Sequence, residues 1–244
     1  MTSLVRALGL RSVAQTIYYW ATKPQNSLLP ISVLQRECLF YARDPIELRT
    51  VELSVESELR ILELMLTEVA PGDVFLDAGA NLGIFSIFAA AFGATVVSCE
   101  PDPLALARLI LNRDINKCEF EIIPKALSDR EGMVAFTCES GQVIQRSRIS
   151  ETGDYKVACV RGDSLGVVPN IVKIDVEGHE LNVIRGLQSS LPACRLCVVE
   201  VHDGVDWKAV SSELAGSGFN NFAYIDGKLV ARRSVPRGGE LRDA

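Results

Sequence analysis

Residues 73–86 read Asp-Val-Phe-Leu-Asp-Ala-Gly-Ala-Asn-Leu-Gly-Ile-Phe-Ser, and this stretch decides the fold. A short apolar run ends in Asp77, glycines follow at Gly79 and Gly83, and an apolar segment rich in Ala and Phe comes next. This order is typical of a buried strand, a tight glycine turn and the start of a helix. Glycine has no Cβ, so the turn can take positive φ and a ligand can lie against its backbone.

The carboxylate at the end of this strand indicates which ligand the turn accepts. A dinucleotide fingerprint needs G-x-G-x-x-G, whereas Asp77 begins the pattern Asp-x-Gly-x-x-x-Gly and would repel a pyrophosphate. This glycine order disfavours a nicotinamide dehydrogenase. Glu100 ends the next apolar strand, at the place where a doubly wound fold positions an acid that binds both ribose hydroxyls. S-adenosylmethionine, a nucleoside with a cationic amino-acid tail, suits both carboxylates, and a purely structural turn is the alternative interpretation.

Composition limits the protein classes that fit. The 244 residues are enough for one large domain with a substantial core, and the formal net charge of −6 argues against a nucleic-acid partner. The sequence shows no apolar run of membrane-spanning length, and we expect no signal peptide at its start. Seven scattered cysteines, an odd number, are typical of a reducing compartment, so we expect a cytoplasmic protein.

The first residues differ in charge from the rest. Residues 1–36 carry four basic side chains and no acidic one, and Tyr18, Tyr19 and Trp20 lie among them. Such a segment can touch a membrane surface, although more commonly it packs on the domain that follows. We expect residues 1–50 to be a helical or irregular extension. The sequence leaves the oligomeric state open.

Apolar segments of strand and helix character alternate after this extension. A helix is expected over residues 52–69, and the alternation that follows predicts a mainly parallel, doubly wound sheet with right-handed crossovers. Residues 132–160 break the alternation as a hairpin-like insertion whose polar loop, 139–154, is a candidate substrate lid. A second hairpin is expected around Asp226-Gly227. The main domain is expected to end near residue 234, leaving a flexible tail at 235–244.

Acidic and glycine-containing clusters follow four of the predicted strands. In open α/β sheets ligands bind at the carboxyl ends of the strands, so these clusters predict a shared cleft. Helix caps and loop solubility would explain any one cluster, but four at one edge favour a functional site. They lie at residues 77–83, 100–102, 175–180 and 200–203.

The sequence resembles the FkbM-type S-adenosylmethionine-dependent methyltransferases. The resemblance rests on four strings: Pro-Gly-Asp-Val-Phe-Leu-Asp-Ala-Gly-Ala-Asn-Leu-Gly (71–83), Cys-Glu-Pro-Asp-Pro (99–103), Ala-Leu-Ser (126–128) and Lys-Ile-Asp-Val-Glu-Gly-His-Glu (173–180). It implies a class I methyltransferase fold, a Rossmann-like sheet whose last strand is antiparallel. It also implies methyl transfer, most commonly to a hydroxyl of a small-molecule, sugar or lipid-linked acceptor.

Site residues are carried over from the family by position. The resemblance implies that Glu100 binds the ribose, that Glu58 lies near the methionine amine and that Ser128 lies near the adenine. Asp175 is expected to contribute to both cofactor binding and catalysis. The residues expected to line the methionine part of the cofactor are Asp77, Gly79, Asn81 and Gly83.

Attack by an alcohol on an activated methyl group needs positioning and a base. The candidate bases are His179 and Asp175, followed by His202 and Glu177. Asp175, Glu200 and His202 could instead converge on a magnesium-type ion, although the sequence favours a mechanism without a metal. A non-catalytic partner subunit that only binds the cofactor is the alternative function.

Overall fold

The computed structural model describes residues 26–138, 147–149, 153 and 155–234, in which strands and helices alternate. The strands are β1 (Ser27–Val33), β2 (Arg36–Ala42), β3 (Val74–Ala78), β4 (Thr95–Cys99), β5 (Glu121–Ile123), β6 (Ala126–Ser128), β7 (Gly132–Cys138), β8 (Ser147–Ile149), β9 (Tyr155–Arg161), β10 (Ile171–Ile174), β11 (Leu196–Glu200), β12 (Asn221–Ile225) and β13 (Lys228–Arg232). The helices are α1 (Pro45–Glu68), α2 (Ile84–Ala91), α3 (Pro103–Ile115), α4 (Glu180–Gly186) and α5 (Trp207–Gly216).

Seven strands form the central sheet in the order β12-β13-β11-β10-β3-β4-β5. Strands β5, β4, β3, β10 and β11 are parallel, and β13 runs antiparallel to both β11 and β12. The expected parallel sheet with an antiparallel last strand is confirmed, and so is the hairpin around Asp226-Gly227. The inner strands are mainly apolar because both faces of the sheet are covered.

The strand order reverses beside β3, and this reversal opens a cleft. From β3 the chain continues outward through β4 and β5, whereas β10 and β11 lie on the other side. Asp77 in β3 is therefore flanked by Ser98 of β4 and by Lys173 of β10. A ligand site is expected at this switch point, beyond the carboxyl ends of the three strands.

A second sheet, in the order β6-β9-β7-β8, stands beside this edge. Strands β7 and β9 pair antiparallel, as expected of the insertion, and β6 adds to β9 in parallel. A small apolar cluster that includes Val134, Phe136 and Val157 holds the sheet together. Most of the predicted lid loop lies outside the described residues, so its role stays a prediction.

The N-terminal part differs from the expectation. Residues 27–42 form a β-hairpin, β1 paired with β2, rather than helical or irregular structure. Helix α1 begins at Pro45 instead of Glu52, because Asp44 caps it by accepting hydrogen bonds from the amides of Ile46 and Glu47. The Asp-Pro pair is thus a helix start.

Two asparagines of the α3 region hold the hairpin in place. Asn112, which is buried, accepts a hydrogen bond from the Tyr41 amide at 2.9 Å and donates one to the Leu82 carbonyl at 3.0 Å. Asn116 bonds both backbone groups of Leu39. The hairpin is therefore tied through α3 to the glycine turn after β3.

Several expectations concern residues outside the described part of the chain. They include the membrane contact assigned to residues 1–36, of which only the end is described, and the tail at 235–244. Among the helices that the structure describes, none is both long enough and apolar enough to cross a bilayer.

We predict that Asn112→Ala destabilises the protein by about 2–3 kcal/mol, because it leaves a buried amide and a buried carbonyl without partners. Urea unfolding followed by circular dichroism measures the change. Leu104→Ala, an exposed position of the same helix, serves as the control and should stay within about 0.5 kcal/mol of the native protein. Equal stability of the two variants would contradict the bridging role of Asn112.

Candidate active site

The glycine turn after β3 is shaped by what packs against it. Gly79 has φ of 80°, and a Cβ added there would lie 1.8 Å from the carbonyl oxygen of Asp175. Gly83 has φ of 86°, and an added Cβ would lie 2.3 Å from a methyl carbon of Leu109. Gly79 is therefore required by its contact with the backbone at the end of β10, whereas Gly83 is favoured by its left-handed backbone conformation.

A buried lysine that sequence reasoning missed joins the turn to β10. The Lys173 ammonium donates a hydrogen bond to the Gly79 carbonyl at 2.7 Å and lies 3.2 Å from Asp175 Oδ2 and 3.4 Å from Asp77 Oδ1. Burial acts to lower the pKa of Lys173, but the neighbouring carboxylates of Asp175 and Asp77 outweigh it and hold the pKa above its ordinary value. The detectable signal was a lone lysine inside the apolar strand Ile-Val-Lys-Ile.

Asp77 is held by buried partners near the end of β3. Its side chain is fully buried, and Oδ2 accepts a 2.6 Å hydrogen bond from Ser86 Oγ. Together with the Lys173 contact, this makes Asp77 a support of the turn. The contact of this carboxylate with the methionine part of the cofactor stays a prediction.

Glu100 occupies the end of β4 as predicted. Its Oε2 accepts a hydrogen bond from the Asn81 amide at 2.7 Å, and its Oε1 accepts one from the Asp102 amide at 2.8 Å. Burial raises the pKa of Glu100 to about 7, against the lowering effect of these two hydrogen bonds. Each carboxylate oxygen has further acceptor capacity, so the group can still bind a diol.

A cavity opens between the ends of β4 and β10. Its walls come from the glycine turn, the β4 end, the β10 end and the second sheet, so the insertion contributes residues to the cleft. The lining residues are Gly79, Asn81, Cys99, Glu100, Pro101, Asp102, Ala105, Ala126, Leu127, Phe136, Ile149, Asp175, Val176 and Glu177.

The cavity wall contains some of the predicted site residues and not others. Those that line it are Gly79, Asn81, Glu100, Asp175 and Glu177. The predicted site residues that are not part of its wall are Asp77, Gly83, Glu58, Ser128, His179 and His202.

His179, the first candidate base, is tied to the second sheet instead. Its Nε2 lies 3.0 Å from Ser128 Oγ, and Ser128 is fully buried at the end of β6. Burial lowers the pKa of His179, so the ring is neutral near pH 7. Neither residue reaches the cavity, and the pair links the start of α4 to β6.

His202 lies beside the β10 end, within an acidic cluster. Its Nδ1 is 2.7 Å from Glu180 Oε1, and its Nε2 is 3.2 Å from Glu177 Oε2. Asp175 and Glu200 are farther from Nε2, at 3.7 and 3.8 Å. Burial acts to lower the pKa of His202, but these carboxylates, led by Glu180, raise it to about 9.

Glu58 belongs to the outer side of the same cluster. Its Oε1 accepts a 2.8 Å hydrogen bond from the buried Lys228 ammonium, which also lies 3.0 Å from Glu200 Oε2. Burial raises the pKa of Glu58, although Lys228 acts to lower it. The structure thus joins Glu58 to the β11 end, and Glu58 is not part of the cavity wall.

Comparison with known proteins identifies the family. The family model described as the methyltransferase FkbM domain matches residues 77–222, which is more than half of the chain and runs from the glycine turn to β12. The chain belongs to the FkbM methyltransferase family. Its cofactor is S-adenosylmethionine.

Two curated relatives and one solved structure illustrate the family and the fold. The hexuronic acid methyltransferase AglP of Haloferax volcanii is 33% identical over 168 residues, covering 66% of this chain and 69% of AglP. The 31-O-demethyl-FK506 methyltransferase FkbM of Streptomyces tacrolimicus is 28% identical over 201 residues, covering 65% of this chain and 77% of that protein. A crystal structure of a SAM-dependent methyltransferase from Agrobacterium tumefaciens has a TM-score of 0.52 at 13% identity, covering 87% of this chain and 71% of the other.

The residues that line the cavity of this FkbM-family chain suit the chemistry of its cofactor. A buried carboxylate with spare acceptor capacity, Glu100, stands at the β4 end, as a ribose diol requires. The apolar groups beside it, Leu127, Phe136 and Ile149, come from the second sheet and offer a surface for a planar base. Sequence reasoning did not place Phe136 or Ile149 in the site, because the pairing of the second sheet is not visible in local pattern.

Replacement of Gly79 tests the contact between the turn and β10. We predict that Gly79→Ala destabilises the fold by about 3 kcal/mol or more and abolishes cofactor binding, because the new Cβ meets a backbone carbonyl that cannot move aside. Gly72→Ala is the matched control: Gly72 has φ of 88° but nothing within 4 Å of an added Cβ, so only about 1 kcal/mol of backbone strain is expected. Urea unfolding measures the loss of stability, and calorimetry with S-adenosylhomocysteine measures the loss of cofactor affinity. Equal losses in the two variants would show that the contact with the Asp175 carbonyl has no effect.

The raised pKa of Glu100 predicts a pH-dependent stability of the cofactor-free protein. The folded state binds a proton at Glu100 up to about pH 7, whereas the unfolded state releases it near 4.5, so this contribution to stability falls as the pH rises between these values. Relative to Glu100→Gln, the native protein should lose about 2–3 kcal/mol between pH 4.5 and pH 8. Urea unfolding of both proteins at the two pH values measures this. A stability difference between the native protein and Glu100→Gln that does not change with pH would contradict this prediction.

Proposed function

We propose that this methyltransferase transfers the methyl group of S-adenosylmethionine to a hydroxyl oxygen of a small-molecule, sugar or glycolipid acceptor. The names of the two relatives, a hexuronic acid methyltransferase and a 31-O-demethyl-FK506 methyltransferase, support an oxygen acceptor. The observation that carries the proposal is the arrangement of the cavity: Glu100 lines it on one side of β3, and Asp175 and Glu177 line it on the other. The Glu100 side suits the nucleoside of the cofactor. The side with Asp175 and Glu177 offers carboxylates to an acceptor hydroxyl.

Glu177 is the base in this proposal. It lines the cavity, it has φ of 53°, and Gly178 after it has φ of 101°, so this segment holds a backbone conformation that is unfavourable for a side-chain-bearing residue. Glu177 Oε2 lies 3.2 Å from His202 Nε2. Asp175, engaged by Lys173, is assigned to positioning the acceptor.

The proposed reaction is a direct displacement. S-adenosylmethionine, when bound, supplies a methyl group on a positively charged sulfur and is released as the neutral thioether S-adenosylhomocysteine. The acceptor oxygen forms a bond to the methyl carbon while its O–H bond breaks and the proton passes to Glu177. The protein holds the oxygen in line with the methyl carbon, and the second sheet forms one wall of the cavity.

Product analysis tests the proposal. The full chain is incubated with S-adenosylmethionine and a panel of hexuronic acids, neutral sugars and hydroxylated macrolides, and S-adenosylhomocysteine release is measured. We expect a methyl ether on a hydroxyl oxygen, identified by NMR. A methyl ester on a carboxylate, which needs no base, would contradict the proposal. Cofactor binding without turnover on any acceptor would favour the non-catalytic partner subunit.

We predict that Glu177→Gln lowers kcat for ether formation about 100-fold, the usual contribution of a general base. The KM for S-adenosylmethionine should stay within about twofold, because the nucleoside is assigned to the Glu100 side. Glu213→Gln, a carboxylate of α5 that pairs with Arg185 at the surface, is the control and should keep the native rate. Native kcat in Glu177→Gln would remove this residue from the mechanism.

A further inference from the structure

We propose that Asp175, Glu200 and His202 bind one divalent cation of the Mg²⁺ or Mn²⁺ class beside the cavity, where it would hold an oxygen of the acceptor. The role in catalysis rests on the proposed function, but the cation site itself does not. One ligand atom from each of the three residues can be chosen such that all three lie within 4.8 Å of one another. Two carboxylates and one imidazole are a donor set that suits these ions.

The distances between ligand atoms are near those of a coordinated cation but longer than those of adjacent ligands. His202 Nε2 lies 3.7 Å from Asp175 Oδ1 and 3.8 Å from Glu200 Oε1. Around an ion with bonds of about 2.1 Å, adjacent octahedral ligands are about 3.0 Å apart. The three side chains would therefore close on a cation by rotating inward.

Two buried lysines orient the carboxylates. Lys173 lies 3.2 Å from Asp175 Oδ2, and Lys228 lies 3.0 Å from Glu200 Oε2. In each pair the lysine engages one oxygen, and the other oxygen is the one nearer His202. Each lysine thus holds the carboxylate oxygen that is farther from His202. The other two oxygens, Asp175 Oδ1 and Glu200 Oε1, are therefore directed to a common centre before a cation binds.

Glu180 supports His202 on the side of the ring opposite Nε2. Glu180 is fully buried, and its Oε1 lies 2.7 Å from His202 Nδ1. A carboxylate on the remote nitrogen of a histidine is the usual support of a metal-ligating imidazole, because it fixes the ring and leaves Nε2 to the metal. Glu180 Oε2 has no hydrogen-bond partner among the described residues, and a buried oxygen of this kind is unfavourable unless positive charge is near.

The position of the site indicates what the cation would do. Asp175 and Glu177 line the cavity, so a cation bound to Asp175 lies at the side assigned to the acceptor. It would lower the pKa of a bound hydroxyl and help the transfer of its proton to Glu177. It would also offset the negative charge of this cluster, so that an acceptor with a carboxylate next to its hydroxyl can enter. The acceptor class that fits is therefore one with two neighbouring oxygen donors.

Direct titration with Mn²⁺ tests the site without requiring turnover. The full chain, freed of metal by a chelator, is titrated with Mn²⁺ and bound ion is measured by electron paramagnetic resonance. We expect one ion per chain. Glu200→Gln and His202→Gln should each weaken the affinity by about tenfold or more. His179→Gln is the matched control, since it removes the other histidine, which contacts Ser128 instead, and its Mn²⁺ affinity should equal that of the native chain.

Binding of S-adenosylhomocysteine to the same variants separates loss of the ion from loss of the fold. Glu200 and His202 are not part of the cavity wall, so cofactor affinity should be retained in both variants while Mn²⁺ affinity falls. The proposal is overturned if the native chain binds no Mn²⁺, or if both variants bind it as well as the native chain. Stoichiometric Mn²⁺ binding without methyl transfer would support the site and refute only the proposed function.

Discussion

The buried ammonium of Lys173 is the interaction on which the site depends. It joins three segments that are far apart in sequence: the end of β3 through Asp77, the glycine turn through the Gly79 carbonyl and the end of β10 through Asp175. Removing a lysine from water is unfavourable, and two carboxylates with one carbonyl offset that cost only in this geometry. The same contacts fix the distance between the turn and β10 and hence the width of the cavity.

The acidic residues at this edge of the sheet divide into supports and wall residues. Asp77 and Glu180 are fully buried and hold other groups, a lysine and a histidine respectively. Glu100, Asp175 and Glu177 reach the cavity. The fold therefore concentrates negative charge at one place and balances part of it internally with lysines, while the wall carboxylates remain available for a diol, a hydroxyl proton or a cation.

Prediction from sequence succeeded where the signal is local. The glycine turn, the acid at the end of β4 and the alternation of strand and helix each lie within a short window, and parallel topology then brings the strand ends together. It did not find Lys173, whose role depends on its register opposite Asp77. It did not find the β1–β2 hairpin either, since this hairpin is held by Asn112 and Asn116, whose partners lie some seventy residues away.

The sequence by itself determined the family, the cofactor and the strand that ends in Glu100, because these follow from contiguous motifs. Only the tertiary structure decided which polar residues meet. It placed His179 against Ser128 and away from the cavity, and it brought His202 to Glu177 and Glu180. The physical reason is that the carboxyl ends of β10 and β11 are adjacent only in the folded sheet, so the partners of a side chain there are set by strand order and register, which no short stretch of sequence encodes.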